Sequence, residues 1–336
     1  MRPIAIQRLI LSFTTLLLLS ACSSADDVVS VPSLPALGAS SSVTVSGLSA
    51  GGYMAGQYQV AFSSSVSGAG IVAAGPWGCA QGSINRAIGD CISSAALDIE
   101  PLTANASVLA ANSAIDPLTD LADDRVLLFH GASDLIVSDG VGDALNDWLS
   151  AFVDVAAVKQ VRDIEAPHGW PIEERTDSCQ AFESPYINPC GYDLAGEIFS
   201  HLYGELSNAS EQTSEPSEFD QSAFGDAELA DSGYVYVPRA CATESECRIH
   251  VFFHGCEQSA STVGTDVVKR TGFNRWAESN NIVVLYPQVE PSSVAPLNPL
   301  GCWDWWGYTG ENYLEQSAAQ LAAVKRMVER LQESPR

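Results

Sequence analysis

Ser49 is the residue of this 336-residue chain whose surroundings most clearly suggest chemistry. It is the centre of Gly47-Leu48-Ser49-Ala50-Gly51, between a strand-like segment, residues 42–46, and a helical segment, residues 53–62. A sharp strand-to-helix turn exposes the hydroxyl of its serine, and small neighbours are what such a turn tolerates. The helix N-terminus also favours the negative charge that develops nearby. The pattern therefore predicts a nucleophile, although five residues alone fit an ordinary Gly/Ser turn about as well.

A nucleophilic serine needs a histidine that accepts its proton and a carboxylate that orients this histidine. Among the five histidines, His168 has the most suitable setting, a Gly- and Pro-containing loop after a predicted strand. Asp134 comes just after the apolar segment 125–130, at the end of another predicted strand. We predict His168 as the base and Asp134 as the acid. Asp139 and Asp163 are nearby alternatives for the acid.

The segment Phe252-Phe253-His254-Gly255-Cys256 resembles the His-Gly loop that supplies an oxyanion-hole amide in α/β-hydrolases. The backbone N–H groups of Cys256 and Ala50 are the predicted donors. In the usual chain order this loop precedes the nucleophile, whereas here it follows Ser49 by about two hundred residues. This order predicts a circular permutation, which is plausible because domain termini are exposed and often close together.

Three segments together carry a closer resemblance: residues 46–54, the His-Gly-Cys loop and Cys302-Trp303-Asp304-Trp305-Trp306-Gly307-Tyr308. They resemble single-domain, circularly permuted extracellular poly(3-hydroxybutyrate) depolymerases of the α/β-hydrolase superfamily. The resemblance extends from about Val43 to the last predicted helix. It implies a serine esterase that hydrolyses short-chain polyhydroxyalkanoates through an acyl-enzyme on Ser49, with no metal and no organic cofactor.

Aromatic residues near these segments are candidates for substrate binding. The resemblance implies that Trp303 and Trp306 help to bind the polyester. Tyr53 and Trp170 are further candidates because they lie beside the serine and histidine motifs. Since no separate polymer-binding module is visible, we expect adsorption through an apolar surface of the catalytic domain itself.

The elements that must position these residues alternate along the chain between strands and helices. This alternation predicts an α/β fold with a mostly parallel central sheet and helices on both faces. We expect a single catalytic domain over residues 43–336, with an exposed acidic connector near residues 208–225. The predicted strands cover residues 42–46, 70–74, 125–130, 155–161, 233–238, 248–253 and 281–286, and the predicted helices cover residues 53–62, 143–153, 194–206 and 311–331.

The N-terminus predicts export. Residues 1–21 combine a basic start, a short apolar core and small residues before Cys22, which is typical of a lipoprotein signal peptide. We therefore expect lipidation at Cys22 and an outer-membrane or cell-surface location, with a flexible leader over residues 22–42. Cleavage nearby without lipidation, which would give a secreted protein, is the alternative.

The eight cysteines after Cys22 form an even number, and in an exported chain this predicts disulfides. Eight cysteines allow 105 connectivities. Neighbours in sequence suggest the pairs Cys79–Cys91, Cys179–Cys190, Cys241–Cys247 and Cys256–Cys302. Their spacing does not resemble a metal site.

The net charge of the chain argues against one class of function, the binding of nucleic acids. With 16 Lys and Arg against 41 Asp and Glu, the net charge of −25 would repel a nucleic acid. We expect a monomer that acts on a polyester and meets a membrane only through a lipid at Cys22. Two other functions stay open at this point: a carboxylesterase of the same fold for soluble or polysaccharide-linked feruloyl or acetyl esters, and a non-catalytic, polymer-binding lipoprotein.

Overall fold

The computed structural model describes residues 31–242 and 246–335. The predicted signal peptide, residues 1–21, and the predicted lipidation site, Cys22, lie outside the described residues. Among those that are described, no helix is both long and apolar enough to cross a membrane.

A mixed, mostly parallel sheet of eight strands forms the centre of the described part of the chain. Its strand order is β4-β3-β2-β1-β9-β10-β8-β7, and β5 and β6 form a separate two-stranded sheet. Pairing is parallel from β4 through β10 along this order, whereas β8 and β7 are antiparallel to their neighbours. The strands are β1 (Val43–Leu48), β2 (Val66–Val72), β3 (Arg125–Phe129), β4 (Val158–Val161), β5 (Trp170–Pro171), β6 (Ile187–Asn188), β7 (Ser217–Asp220), β8 (Ser232–Tyr236), β9 (Arg248–Phe253) and β10 (Ile282–Tyr286).

Helices cover both faces of this sheet. Successive side chains of a strand point to opposite faces, and in β3 Val126 and Leu128 join one buried cluster whereas Leu127 and Phe129 join another. The predicted α/β fold with helices on both faces is therefore confirmed. The helices are α1 (Ala50–Ala61), α2 (Ile84–Ile88), α3 (Asp90–Ser93), α4 (Glu100–Ala111), α5 (Asp139–Leu149), α6 (Leu194–Tyr203), α7 (Ala260–Val263), α8 (Asp266–Arg270), α9 (Phe273–Asn280) and α10 (Ala319–Gln332).

The bounds of several elements differ from the sequence prediction, and two of these differences involve buried side chains. The last helix begins at Ala319, because residues 311–318 form turns in which Tyr313 and Leu314 are buried. The predicted exposed connector, residues 208–225, contains the edge strand β7, whose Phe219 is buried in the core. A connector that is mostly polar can still add an edge strand when one apolar side chain reaches the core.

Residues 31–42, predicted as part of a flexible leader, are packed against the fold. Leu34 is buried, and the backbone N–H groups of Leu37 and Ala39 both donate to the carbonyl oxygen of Leu331 in α10. The Arg330 guanidinium also donates to the Leu34 carbonyl oxygen, at 3.0 Å. The prediction of a flexible leader is wrong for this segment. Its Ser- and Pro-rich composition is typical of flexible chain, but a few specific contacts with α10 hold it in place.

Four disulfides join Cys79 to Cys91, Cys179 to Cys190, Cys241 to Cys247 and Cys256 to Cys302. These are the pairs of sequence neighbours that the cysteine spacing suggested. Disulfides persist in oxidising compartments, so the four bonds are typical of an exported protein.

A buried polar group fixes the pairing of β1 with β9. His250 of β9 is fully buried and lies opposite Thr44 of β1. Its Nδ1 atom is 2.8 Å from Thr44 Oγ1, and its Nε2 atom is 2.7 Å from Ser46 Oγ. Burial lowers the pKa of His250 to about 3, so the ring is neutral, with one nitrogen donating and the other accepting. Both ring nitrogens have a hydrogen-bond partner in this register.

The buried carboxyl group of Asp124, just before β3, makes the stability of the fold depend on pH. It is 3% exposed and accepts a hydrogen bond of 2.7 Å from Gln59 Nε2. Burial raises the pKa of Asp124 to about 7, against the opposing effect of Gln59. A pKa raised above that of the unfolded chain means that Asp124 costs stability increasingly as the pH rises toward 7.

We compare the free energy of unfolding of Asp124→Asn with that of the wild type. The variant's value minus the wild-type value should increase by about 1–3 kcal/mol from about pH 5 to about pH 8. Denaturant unfolding at both pH values measures this difference. Asp226→Asn, which changes an exposed carboxylate, is the control and should show no such trend. An equal difference between wild type and Asp124→Asn at both pH values would contradict a raised pKa.

Candidate active site

Ser49 occupies a strained turn between β1 and α1. Its backbone angles, φ 57° and ψ −119°, lie in a region that residues with a side chain rarely adopt. The Ser49 N–H donates to the carbonyl oxygen of Val72 in β2, at 2.9 Å, which helps to hold the turn. Strain of this kind at a serine after a parallel strand is the geometry of a nucleophile.

The glycines of the motif are required by close backbone contacts. A Cβ atom on Gly47 would lie 2.1 Å from the carbonyl oxygen of Gly51. A Cβ atom on Gly51 would lie 2.1 Å from the carbonyl oxygen of Phe253 and 2.4 Å from that of His254. The start of α1 therefore touches the end of β9, and only residues without a side chain allow this approach.

Asp134 and His168 are in direct contact. His168 Nδ1 is 2.8 Å from Asp134 Oδ2, and the side chain of Asp134 is fully buried. The other carboxylate oxygen accepts hydrogen bonds from the N–H groups of Ile136, at 2.8 Å, and Val137, at 2.9 Å. Burial by itself would raise the pKa of Asp134, but the hydrogen bond and charge of His168 and these two amides outweigh it and lower the pKa. Asp134 is therefore ionised and can orient the ring.

The two alternative acids lie elsewhere. Asp139, at the start of α5, has its carboxylate 3.6 Å from Nε2 of the buried His130. Asp163 is exposed in the loop after β4. Of the three acids considered from the sequence, Asp134 is the one that contacts His168.

Ser49 and His168 line the same cleft, which has a volume of about 570 Å³. Within the described residues there is no hydrogen bond between Ser49 Oγ and the His168 ring. Such a bond is often long or absent until a substrate is bound. The structure thus brings together the three residues that the sequence singled out for nucleophile, base and acid.

The His-Gly-Cys loop follows β9, directly beside β1 and parallel to it. The ring of the buried His254 donates from Nδ1 to the Gly255 carbonyl oxygen and accepts at Nε2 from the Val289 N–H, and burial lowers the pKa of this ring to about 4. Gly255 N–H donates to Gln258 Oε1, at 2.7 Å. Cys256 lines the cleft, and its N–H has no partner among the described residues. These hydrogen bonds hold the loop and leave the Cys256 N–H without a partner among the described residues.

Ala50 offers a second donor. It is the first residue of α1, and the first N–H groups of a helix have no partner within the helix. Two free amides at the ends of two adjacent parallel strands match the requirements of an oxyanion hole.

Trp305 and Trp306 form the aromatic wall of the cleft. Asp304 shapes the turn that carries them, since its carboxylate accepts hydrogen bonds from the N–H groups of Gly307, Tyr308 and Thr309, at 2.7 to 2.9 Å. The Cys256–Cys302 disulfide ties this segment to the His-Gly-Cys loop. Of the two tryptophans singled out from the sequence, Trp306 therefore lines the cleft.

The other three aromatic candidates do not reach the cleft. Trp303 is 0% exposed and packs against Phe253, with ring centroids 5.0 Å apart. Trp170 is also 0% exposed, and its Nε1 donates to the Thr271 carbonyl oxygen. Tyr53 is buried beneath Trp305, with ring centroids 4.1 Å apart. The prediction that these three residues contact the substrate is therefore wrong. A residue that lies beside a site residue in sequence can point away from the site, because successive side chains of a strand or turn point in different directions.

Sequence reasoning missed most of the remaining lining. Trp305 belongs to the aromatic segment 302–308 used for the family resemblance, but the sequence does not show that its side chain faces the cleft. Nothing in the sequence connects most of the other lining residues to Ser49, since they come from helices α2 and α3 and from four separate loops. The cleft is mostly apolar, and these further lining residues are Ile84, Ile88, Ile92, Ile136, Phe182, Tyr186, Glu257, Gln258, Leu297, Asn298, Pro299 and Leu300.

No group of His, Cys, Asp or Glu side chains within residues 31–242 and 246–335 is arranged to hold a metal ion. The cleft brings together Ser49, the His168–Asp134 pair and the two free amides. Such an arrangement can carry out acyl transfer from an ester to the serine and then to water.

Two named relatives are similar to the chain over most of its length. The poly(3-hydroxybutyrate) depolymerase of Delftia acidovorans is 43% identical over 296 residues, which are 86% of this chain and 59% of that enzyme. The chain thus spans about three fifths of the length of this relative. The polyhydroxybutyrate depolymerase of Talaromyces funiculosus is 35% identical over 320 residues, which are 90% of this chain and 93% of the fungal enzyme.

Two solved structures share the fold. A PHB depolymerase complexed with an R3HB trimer has a TM-score of 0.84, and the PHB depolymerase from Penicillium funiculosum has a TM-score of 0.83. Each is 34% identical to this chain, and each alignment covers 90% of this chain and 100% of the solved one. No family model matches the chain. The identity of 35% over nearly the whole Talaromyces enzyme, together with the shared fold, shows that the chain belongs to the polyhydroxybutyrate depolymerase family.

Proposed function

We propose that this protein is a serine esterase that hydrolyses poly(3-hydroxybutyrate) or a related short-chain polyhydroxyalkanoate. The observation that carries the proposal is the strained Ser49 in one cleft with the His168–Asp134 pair. Membership of the depolymerase family supports the substrate class, and a structural neighbour is complexed with an R3HB trimer.

In the proposed mechanism His168 Nε2 accepts the proton of Ser49 Oγ as this oxygen attacks the ester carbonyl carbon. The N–H groups of Ala50 and Cys256 donate to the resulting oxyanion, each contributing up to a few kcal/mol of transition-state stabilisation. Ionised Asp134 stabilises the imidazolium. His168 then gives its proton to the departing alcohol, and water, activated by the same ring, releases the 3-hydroxyacyl group from Ser49.

The apolar lining supports the choice of a polyester. A short-chain polyhydroxyalkanoate presents ester groups and small alkyl side groups but no charge along its length. Trp305 and Trp306 offer flat apolar surfaces beside the nucleophile, and Leu297 and Leu300 continue the lining. We propose Trp306 as a contact to the bound chain.

The circular permutation is part of the proposal. In α/β-hydrolases the loop with the second oxyanion donor follows a strand that precedes the nucleophile. Here β9 lies beside β1 but comes later in the chain, which supports an exchange of the two halves. The described residues form a single compact unit, in line with one catalytic domain.

We also propose that the protein is exported, carries a lipid at Cys22 and acts at the cell surface as a monomer. The sequence before Cys22 supports the anchor, and the four disulfides support export. Metabolic labelling with a fatty acid, compared between wild type and Cys22→Ser, tests the anchor.

Removal of the nucleophile gives a direct test of the proposed chemistry. Ser49→Ala should lower kcat for clearing of a poly(3-hydroxybutyrate) suspension by about 10⁴-fold or more, because no acyl-enzyme can form. Binding of the protein to polymer granules should be unchanged. Ser41→Ala, at an exposed serine, should behave like the wild type.

The outcomes of this test separate the alternatives. Substantial clearing by Ser49→Ala would contradict the mechanism. Hydrolysis of soluble feruloyl or acetyl esters without clearing of the polymer would instead favour a carboxylesterase of the same fold. A wild-type protein that binds granules but hydrolyses none of these esters would favour a polymer-binding lipoprotein.

Adsorption gives a second test. Leu135 is 93% exposed and Val294 is 71% exposed, in the loops that also supply the lining residues Ile136 and Leu297. Exposed apolar side chains around a cleft are suited to contact with a polymer surface. We expect the double variant Leu135→Ser, Val294→Ser to bind granules about three- to tenfold more weakly, since it exposes about 200 Å² less apolar surface.

Hydrolysis of a soluble 3-hydroxybutyrate ester by this double variant should change by less than about threefold, because neither side chain lines the cleft. Val155→Ser, at a residue 65% exposed and absent from the cleft lining, is the matched control for adsorption. Equal granule binding by the double variant and the control would contradict adsorption through this surface.

A further inference from the structure

Glu257 is an unexpected residue in an apolar cleft. Among the described residues that line the cleft, it is the one carboxylate, and His168 and Tyr186 are the other groups that can ionise. The proposed mechanism gives Glu257 no task. We infer that Glu257 determines specificity: its negative charge excludes the free carboxylate end of a polyester from the cleft and favours neutral chain. This inference rests on the proposed function.

The position of the carboxylate is fixed. Glu257 directly follows Cys256, and its backbone adopts φ 59° with its N–H donating to the Leu300 carbonyl oxygen, at 2.7 Å. The side chain accepts a hydrogen bond of 2.7 Å from the Tyr186 hydroxyl. A second bond joins the same two loops, because Gln258 Nε2 donates to the Pro185 carbonyl oxygen, at 2.8 Å. The charge is therefore held at the wall of the cleft, next to the proposed oxyanion donor.

A negative charge beside the proposed oxyanion hole raises the free energy of the oxyanion. A carboxylate held in this position therefore calls for a second role. The carboxylate accepts a hydrogen bond from the Tyr186 hydroxyl, and the described residues that line the cleft include no Lys or Arg. A carboxylate in a partly dry cleft repels another anion more strongly than one in bulk water does. The overall charge of −25 acts in the same direction.

Repulsion of anions by Glu257 would distinguish between different parts of the polymer. A polyester is neutral along its length and carries one carboxylate, at its acid end. Each hydrolytic step also creates a new carboxylate on the released fragment. A fixed anion in the cleft therefore disfavours acid ends and products, while the neutral interior of a chain binds without penalty.

The test compares two substrates that differ only in this charge: the 3-hydroxybutyrate trimer as free acid and as methyl ester. Cleavage of the inner ester bonds is followed by chromatography. The wild type should have a higher kcat/KM for the methyl ester. In Glu257→Gln, which keeps an oxygen that accepts from Tyr186, the ratio of methyl ester to free acid should fall about three- to tenfold.

This fall should come from faster cleavage of the free acid. Glu218→Gln is the matched control, because it removes one negative charge at the exposed edge strand β7, and its ratio should equal that of the wild type. An unchanged ratio in Glu257→Gln, with both trimers still cleaved, would overturn the inference and leave the proposed function intact. Failure of the wild type to cleave either trimer or the polymer would overturn the proposed function instead.

The wild type supplies a second measurement that does not depend on folding of the variant. Its ratio of methyl ester to free acid should decrease as salt rises from about 0.02 M to about 0.5 M, because salt screens the repulsion. A ratio that does not respond to salt would also overturn the inference.

Discussion

The parallel pairing of β1 with β9 is the interaction on which the site depends. One strand ends at Ser49 and the other at the His-Gly-Cys loop, although about two hundred residues separate them in sequence. His250 fixes their register through Thr44 and Ser46, and the close approach of Gly51 to the end of β9 fixes their separation. A shift of one residue would turn every side chain of the strand to the other face of the sheet. The register therefore decides whether the serine and the two free amides can serve one reacting atom.

Sequence reasoning could predict those parts of the site that local chemistry dictates. The turn at Ser49 needs small residues, and acid and base follow strand ends because parallel strands end at a common edge of the sheet. Hence the contact between Asp134 and His168 lies where the sequence suggested. Most strands were also predictable, since buried parallel strands are continuous apolar segments.

Side-chain direction and contacts between distant loops could not be predicted in this way. Trp303 and Trp306 lie three residues apart in one aromatic segment, yet the first is in the core and the second lines the cleft. The turn imposed by Asp304 decides between them. In the same way, the bond between Tyr186 and Glu257 joins loops that no local pattern connects. The packing of residues 31–42 could not be predicted either, because it depends on the buried side chains of Leu34 and Ala39 and on backbone hydrogen bonds to the distant helix α10.

The described lining of the cleft combines mostly apolar side chains with one carboxylate, that of Glu257. Its apolar residues come from two short helices and several loops, and three disulfides tie these segments together. Cys79–Cys91 brackets Ile84 and Ile88, Cys179–Cys190 brackets Phe182, and Cys256–Cys302 joins the His-Gly-Cys loop to the aromatic segment. The proposed function requires this one surface both to adsorb to a polyester and to present it to Ser49. The disulfides thus stabilise the segments that surround the reacting atoms.

A crystal structure of the protein inhibited by an alkylphosphonate ester would test the central claim most directly. We expect the phosphorus atom to be bonded to Ser49 Oγ. One phosphoryl oxygen should lie about 2.7–3.1 Å from the backbone nitrogens of both Ala50 and Cys256. An adduct on another residue, or a phosphoryl oxygen directed away from Cys256, would contradict the account.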